Sequence, residues 1–152
     1  MTDTGTSSFI YVTYIRTTPE RLWEALTSRE FAQAYWRGAR PEAEWKPGGA
    51  WKLVLPDGTL CDSGEITAFE PLKRLGIRWR NEFMPDLKAE GWSLCLMEIE
   101  TVEGAVRLTV THSMARDGSK FIEAVTQGWP QVLSNLKSLL ETGEVVLGPK
   151  YL

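Results

Sequence analysis

The end of the chain constrains its fold more than any other part. In "SKFIEAVTQGWPQVLSNLKSLLETG", residues 119–143, Phe121, Val125, Trp129, Leu133, Leu136 and Leu140 recur at spacings of three and four. They form one apolar stripe along a helix of about seven turns. A stripe of that length needs an equally long apolar surface to cover it. Gly143 is placed to end the helix as a C′ residue. Pro130 removes an amide donor and crowds the preceding turn, which predicts a kink or break near Thr126 to Trp129, eased by Gly128.

The rest of the sequence supplies that surface as strands. "FIYVTYIRT" is rich in β-branched and aromatic residues and opens the fold as a strand. "TTPERLWEALTS" then starts a helix, with Thr18 as N-cap, Pro19 at the first helical position and Glu20 near the positive end of the dipole. Leu22, Trp23 and Leu26 form its apolar stripe. A second short helix, "REFAQAYW", has Phe31 and Tyr35 one turn apart. From Ala43 to Ser113 the pattern is a meander, punctuated by "PGG" at 47–49, "PDG" at 56–58, "EP" at 70–71 and "EG" at 103–104.

Alternation assigns an inward face to each strand. Trp51, Leu53 and Leu55 share one; Leu75, Ile77, Trp79, Asn81 and Phe83 another; Cys95, Met97 and Ile99 a third. In the last strand Val106, Leu108, Val110 and His112 point inward while Arg107, Thr109 and Thr111 face water. Strand, two small helices, curved antiparallel sheet and long terminal helix make an α+β architecture, with the single long helix against the concave face of one sheet. Residues 9–143 form the domain, with a flexible start over residues 1–8 and a tail over residues 144–152.

Several function classes are excluded at this level. A net charge of −3 provides no basic field for nucleic acid. No apolar run approaches the ~20 residues of a membrane span, and the polar "MTDTGTSS" is unlike a signal peptide, so the expected location is cytoplasmic. Cys61 and Cys95 fit no metal-ligand spacing and read as reduced thiols. "KPGG" precedes a strand rather than a helix and is a hairpin signal, not a phosphate loop. Neither a metal nor another cofactor is expected.

The phrases "TTPERLWEALT" followed by "YW", "WKPGGAWKL", "DSGEITAFEPLKRLGIRW", "RLTVTHS" and "GWPQVLSNLKSLLETG", in this order, resemble the START-like, or SRPBCC, helix-grip superfamily. Within it the chain is similar to proteins related to the activator of the heat-shock-protein-90 ATPase, over about Phe9 to Gly143. The resemblance implies one domain with a deep cavity between terminal helix and sheet. For function it implies a range: lipid carriers, hormone receptors, polyketide cyclases and aromatases, and co-chaperone domains.

Seven tryptophans are many for this length, and Trp seldom disappears wholly into a core. Trp51, Trp79 and Trp129 lie on inward faces, with Trp36 at the mouth; Leu53, Met97, Val110, Val125 and Leu133 complete an apolar wall. Tyr35, Asn81 and His112 are the polar groups available to orient a ligand, and Asn81 is the expected neighbour of His112. With Glu65, Glu98 and Glu100 assigned outward, no acid is found on the inner face to orient His112, so no catalytic set is expected. The resulting reading is a binder of a small, largely hydrophobic molecule, without turnover. Alternatives are a cyclase-like or aromatase-like enzyme using Tyr35, Asn81 and His112, or a stress-related protein-interaction module. The last would use the outer sheet face, where Lys52, Arg78 and Arg107 stand beside Glu65 and Glu98, or the tail; a protein partner or a homodimer is the corresponding expectation.

Overall fold

The computed structural model describes residues 5–150. Its elements are β1 (Ser7–Ile15), α1 (Pro19–Thr27), α2 (Arg29–Tyr35), β2 (Arg40–Ala43), β3 (Ala50–Val54), β4 (Leu60–Glu70), β5 (Arg74–Asn81), α3 (Pro85–Lys88), β6 (Ser93–Val102), β7 (Ala105–Met114) and α4 (Lys120–Thr142). The strands form one antiparallel sheet in the order β1-β7-β6-β5-β4-β3-β2. The meander thus runs from β2 to β7, and the first strand closes beside the last. α4 lies along the inner face, giving the α+β helix-grip fold. Flexibility at residues 1–4 and the tail's last two residues lie outside the described residues.

Caps fix where the helices begin. Thr18 Oγ1 accepts from the Arg21 amide at 3.2 Å, and Ser28 and Ser119 do the same for α2 and α4. Glu90 adds a second clamp on α4, its carboxylate accepting from the Lys120 and Phe121 amides and the Ser119 hydroxyl. At the other end Gly143 adopts φ 86°, the left-handed conformation that glycine enters without steric cost.

Of the kink or break expected at Pro130, the break does not occur: α4 runs continuously from Lys120 to Thr142 with Pro130 inside it. A proline in a helix interior costs about 3 kcal/mol, whereas each large apolar side chain buried contributes ~1.5–3 kcal/mol. Trp129, Val132, Leu133 and Leu136 are all buried around Pro130, so tertiary packing outweighs the local penalty. The inner face otherwise follows the alternation, with Ile15, Ile66, Leu75, Leu108 and Leu136 fully buried. Phe83, assigned to the inner face of β5, is instead exposed, because the strand ends at Asn81 before the alternation reaches it.

Gly64 shapes the middle of the sheet. It stands in register between Trp51 and Trp79, whose ring centroids are 4.4 Å apart. A Cβ there would fall 1.8 Å from the carbonyl oxygen of Arg78, so any larger residue would force the backbones apart. The close strand approach lets the two indoles pack over β4.

Candidate functional site

Packing of large rings determines where space remains beneath α4. Trp36, Trp79 and Trp129 form a cluster with centroid separations of 5.4–6.2 Å, and Trp51 stacks behind Trp79. The centre of the grip, bounded by Tyr35, Trp51, Met97 and Leu133, keeps only about 20 Å³. That volume is no more than a water site, so the deep central cavity implied by the family resemblance is replaced here by indole rings.

The usable space lies to one side of the cluster, between the first half of α4 and β3–β5. This cleft has a volume of about 170 Å³. Its α4 wall is Phe121, Val125, Gly128, Trp129 and Val132, and its sheet wall is Leu53, Trp79, Asn81 and Asp62, with Leu87 of α3 and Trp36 at the margins. Among the described residues, nothing outside the adjoining backbone of α4 lies within 4 Å of where a Cβ on Gly128 would be. The missing side chain is part of what keeps the cleft open.

Asp62 is the feature that the sequence reading missed. It is 7 % exposed and lies on the inner face, which corrects the expectation that no acid points inward. Its Oδ2 accepts from Trp79 Nε1 at 2.5 Å, and its Oδ1 accepts from Asn81 Nδ2 at 3.2 Å. Burial raises the carboxyl to about 7; the Trp79 hydrogen bond pulls against that rise, and the like charge of Glu82 adds to it. Counting back by twos from buried Ile66 reaches Gly64 and Asp62, a signal present in the sequence but masked by the polar run around it.

His112 is fully buried, and its partners are Ser93 and Trp129 rather than Asn81. Trp129 Nε1 donates to Nδ1 at 3.2 Å, which assigns the proton to Nε2. Nε2 then donates to Ser93 Oγ at 2.8 Å, and that hydroxyl donates to the Trp79 carbonyl at 2.8 Å. Trp129 Nε1, both His112 nitrogens, Ser93 Oγ and the Trp79 carbonyl are thus all paired with the imidazole neutral. Burial lowers the histidine to about 3. A base held so far below neutrality, with both nitrogens occupied, is poorly suited to abstract protons at neutral pH.

The other proposed polar groups are also engaged. Tyr35 is buried and donates to the Ala25 carbonyl at 2.9 Å; burial shifts its phenol strongly upward. Asn81 Oδ1 accepts from the Phe83 and Met84 amides while its Nδ2 serves Asp62. Asn81 therefore ties the end of β5 to the carboxyl. Of the residues expected to line a site, Trp36, Leu53, Trp79, Asn81, Val125 and Trp129 border the cleft. Tyr35, Trp51, Met97 and Leu133 surround the closed centre, and Val110 and His112 belong to the buried core. The structure does not bring Tyr35, Asn81 and His112 together around one open space.

Two further tryptophans take different roles. Trp45 packs against the core, while the Trp92 ring holds the guanidinium groups of Arg78 and Arg80 at 4.3 and 4.5 Å from its centroid. A larger groove of about 670 Å³ has walls of charged side chains that already pair with one another, Arg74 with Glu70 and Glu98, and Arg107 with Glu100. Such exposed pairs are well solvated and exert little net pull on a ligand. Among the described residues no cluster of histidine, cysteine or carboxylate side chains is arranged to hold a metal ion, and no helix is long and apolar enough to cross a membrane.

Comparison with solved structures places this geometry in a known fold. Protein MLL2253 from Mesorhizobium loti superposes with a TM-score of 0.75 at 22% identity, over 88% of this chain and 96% of its own. PFC0360w, an HSP90 activator from Plasmodium falciparum, gives 0.71 at 24% identity over 88% and 95%. The Aha1 dimer from Colwellia psychrerythraea gives 0.71 at 20% identity over 90% and 98%. A search of curated proteins finds no match in sequence. The model of the family described as activator of Hsp90 ATPase homologue 1-like protein matches residues 16–141, and the chain belongs to that family.

Proposed function

We propose that the protein binds a compact, largely apolar molecule in the cleft between α4 and β3–β5, without turning it over. The observation that carries this reading is the 170 Å³ space with an almost wholly apolar wall, kept open at Gly128. An apolar cavity of ~150 Å³ accommodates a benzene ring, whereas drug-sized ligands occupy ~300–1,000 Å³. The ligand buried here is therefore of single-ring size, with any larger portion outside. The engagement of His112 and Tyr35 within the core supports binding over turnover by either of these residues.

Tryptophan emission, titrated with toluene and benzyl alcohol, tests this directly because Trp36, Trp79 and Trp129 border the cleft. Saturable quenching is expected in the natural protein and its loss in Gly128→Leu, with the fold of both verified by circular dichroism. A flat titration in the natural protein would remove the proposal.

A second reading is favoured by β1, an edge strand whose Ile10, Val12 and Tyr14 are 63, 48 and 50 % exposed. Outward apolar side chains on an edge strand invite a partner, and one structural relative is an Aha1 dimer. A homodimer through this face would place the cleft on the opposite side of the sheet, free in both copies. Sedimentation equilibrium of the natural chain and of Ile10→Lys/Val12→Lys decides it: a dimer that becomes monomeric supports the reading, and a monomeric natural chain overturns it.

A further inference from the structure

Among the described residues Asp62 has hydrogen-bond partners but no counter-ion. Trp79 Nε1 and Asn81 Nδ2 are both neutral donors, and each occupies one position on a carboxylate that can accept about four hydrogen bonds. The charged group that acts on it is Glu82, of the same sign. The nearby cations are committed elsewhere, Arg80 to Glu82 at 2.6 Å and Lys88 to Glu82 at 3.2 Å. From α4, the elements facing Asp62 across the cleft contribute Phe121, Val125, Gly128 and Val132, none of which carries charge. A carboxylate this buried is normally paired, because leaving it uncompensated is costly.

The complement of an uncompensated carboxylate in an apolar cleft is a cation on an apolar body. On the reading that the cleft is a binding site, we infer that its ligands are compact hydrophobic amines, whose ammonium group is held by Asp62 and whose ring or alkyl body lies against α4. Two features add to this. The indoles of Trp36, Trp79 and Trp129 border the same space, and an indole ring attracts an ammonium group more strongly than a neutral alcohol. Gly128 leaves room opposite Asp62 for a body of about one ring. Ammonium and carboxylate together would replace an unpaired buried charge with a charge-assisted hydrogen bond. Entry of the cation also favours the ionised carboxyl, so amine binding is coupled to proton release from a group titrating at about 7.

The test is calorimetric titration with benzylamine, benzyl alcohol and toluene, which share a ring and differ in charge. At about pH 8, where Asp62 is mostly ionised, benzylamine should bind at least ~10-fold more tightly than benzyl alcohol. In Asp62→Asn that ratio should fall to about one while toluene binding persists. The natural protein supplies an independent check that needs no variant. On lowering the pH to about 5.5 the carboxyl takes up its proton, and the preference for the amine should fall several-fold with toluene affinity unchanged. If the neutral compounds bind and the amine shows no preference, or keeps its preference in a folded Asp62→Asn, the cleft remains a binding site and the amine assignment is overturned. If none of the three binds, both readings fall.

Discussion

Trp129 of α4 donates its indole N–H to Nδ1 of His112 on β7, at 3.2 Å, and this contact orients the chain's only histidine. It joins helix to sheet at the point where the tryptophan cluster fills the grip. The neutral ring passes its own proton toward Ser93, and Ser93 toward the Trp79 carbonyl. A donor at one end and an acceptor at the other make the chain self-contained, so the histidine serves the core.

Replacing His112 with alanine should therefore damage stability. The change strands the Trp129 N–H, removes the donor to Ser93 Oγ and leaves a cavity, for an expected loss of about 2–4 kcal/mol in chemical denaturation. The natural protein should also lose stability in acid through this residue. Its folded value of about 3 lies below the ordinary one near 6.5, so the unfolded chain takes up the proton first. The contribution is complete above pH ~6.5 and drains away as the pH falls toward 3. A His112→Ala variant whose stability matched the natural protein across that range would contradict the role assigned to the histidine.

Asp62 should act with the opposite sign. Its folded value of about 7 exceeds that of an unfolded aspartate near 4, so the folded state holds the proton longer. Its contribution is complete below pH ~4 and is lost as the pH rises through 7. Asp62→Asn removes this titration, so the variant should gain on the natural protein between pH ~4 and 7, by up to roughly 4 kcal/mol. Denaturant midpoints of the two proteins at several pH values give the difference curve. A difference independent of pH would show that the carboxyl is not held protonated by the fold. Between pH ~4 and 6.5 the slopes from His112 and Asp62 oppose each other, which flattens the natural protein's profile in that interval.

Much of the fold was legible because the chain follows simple periodicities. The spacing of three and four in α4 and the alternation in β3, β5 and β7 identified most of the buried residues, with Phe83 the exception on β5, and Thr18 and Gly143 marked helix ends at the right places. The site was less legible for a physical reason. Alternation tells which way a side chain points, but not whether two inward rings leave space between them. Trp51 and Trp79 meet over Gly64 and close the centre, an outcome that depends on the strand register and on one missing Cβ. Asp62 escaped notice because β4 contains a polar stretch, Cys61 to Glu65, in which an inward carboxylate has no apolar neighbour to mark its face. His112 was placed correctly as inward, but its partners come from β6 and α4, and no local pattern reveals that meeting.

Gly128 offers a separate test of the cleft. It occupies the interior of α4 with open space at its Cβ position, so alanine meets no clash and removes the entropic cost of glycine in a helix. Gly128→Ala should stabilise the protein by about 0.5–1 kcal/mol, measured by urea denaturation. Because the methyl group projects into the cleft, the same variant should bind toluene more weakly. Stabilisation without any loss of binding would place the ligand away from Gly128.

Asn135 governs the segment after α4. Its side chain is fully buried: Oδ1 accepts from the Val146 and Leu147 amides at 2.9 and 2.7 Å, and Nδ2 donates to the Leu147 carbonyl at 2.8 Å. A single amide thus imitates a strand partner for a chain that has left the helix, and Arg37 continues the attachment by donating to the Gly148 carbonyl at 3.0 Å. Asn135→Ala removes the bonds to the Val146 and Leu147 amides and to the Leu147 carbonyl, so the segment from Val146 should detach. Hydrogen exchange should then show the amides of Val146 and Leu147 unprotected while those of α4 remain protected, and global stability should fall by about 1–3 kcal/mol. Asn135→Asp separates hydrogen bonding from packing: it keeps the acceptor but not the donor, so part of the protection at residues 146 and 147 should survive. Full protection in Asn135→Ala would mean that Arg37 and local packing suffice to hold the segment.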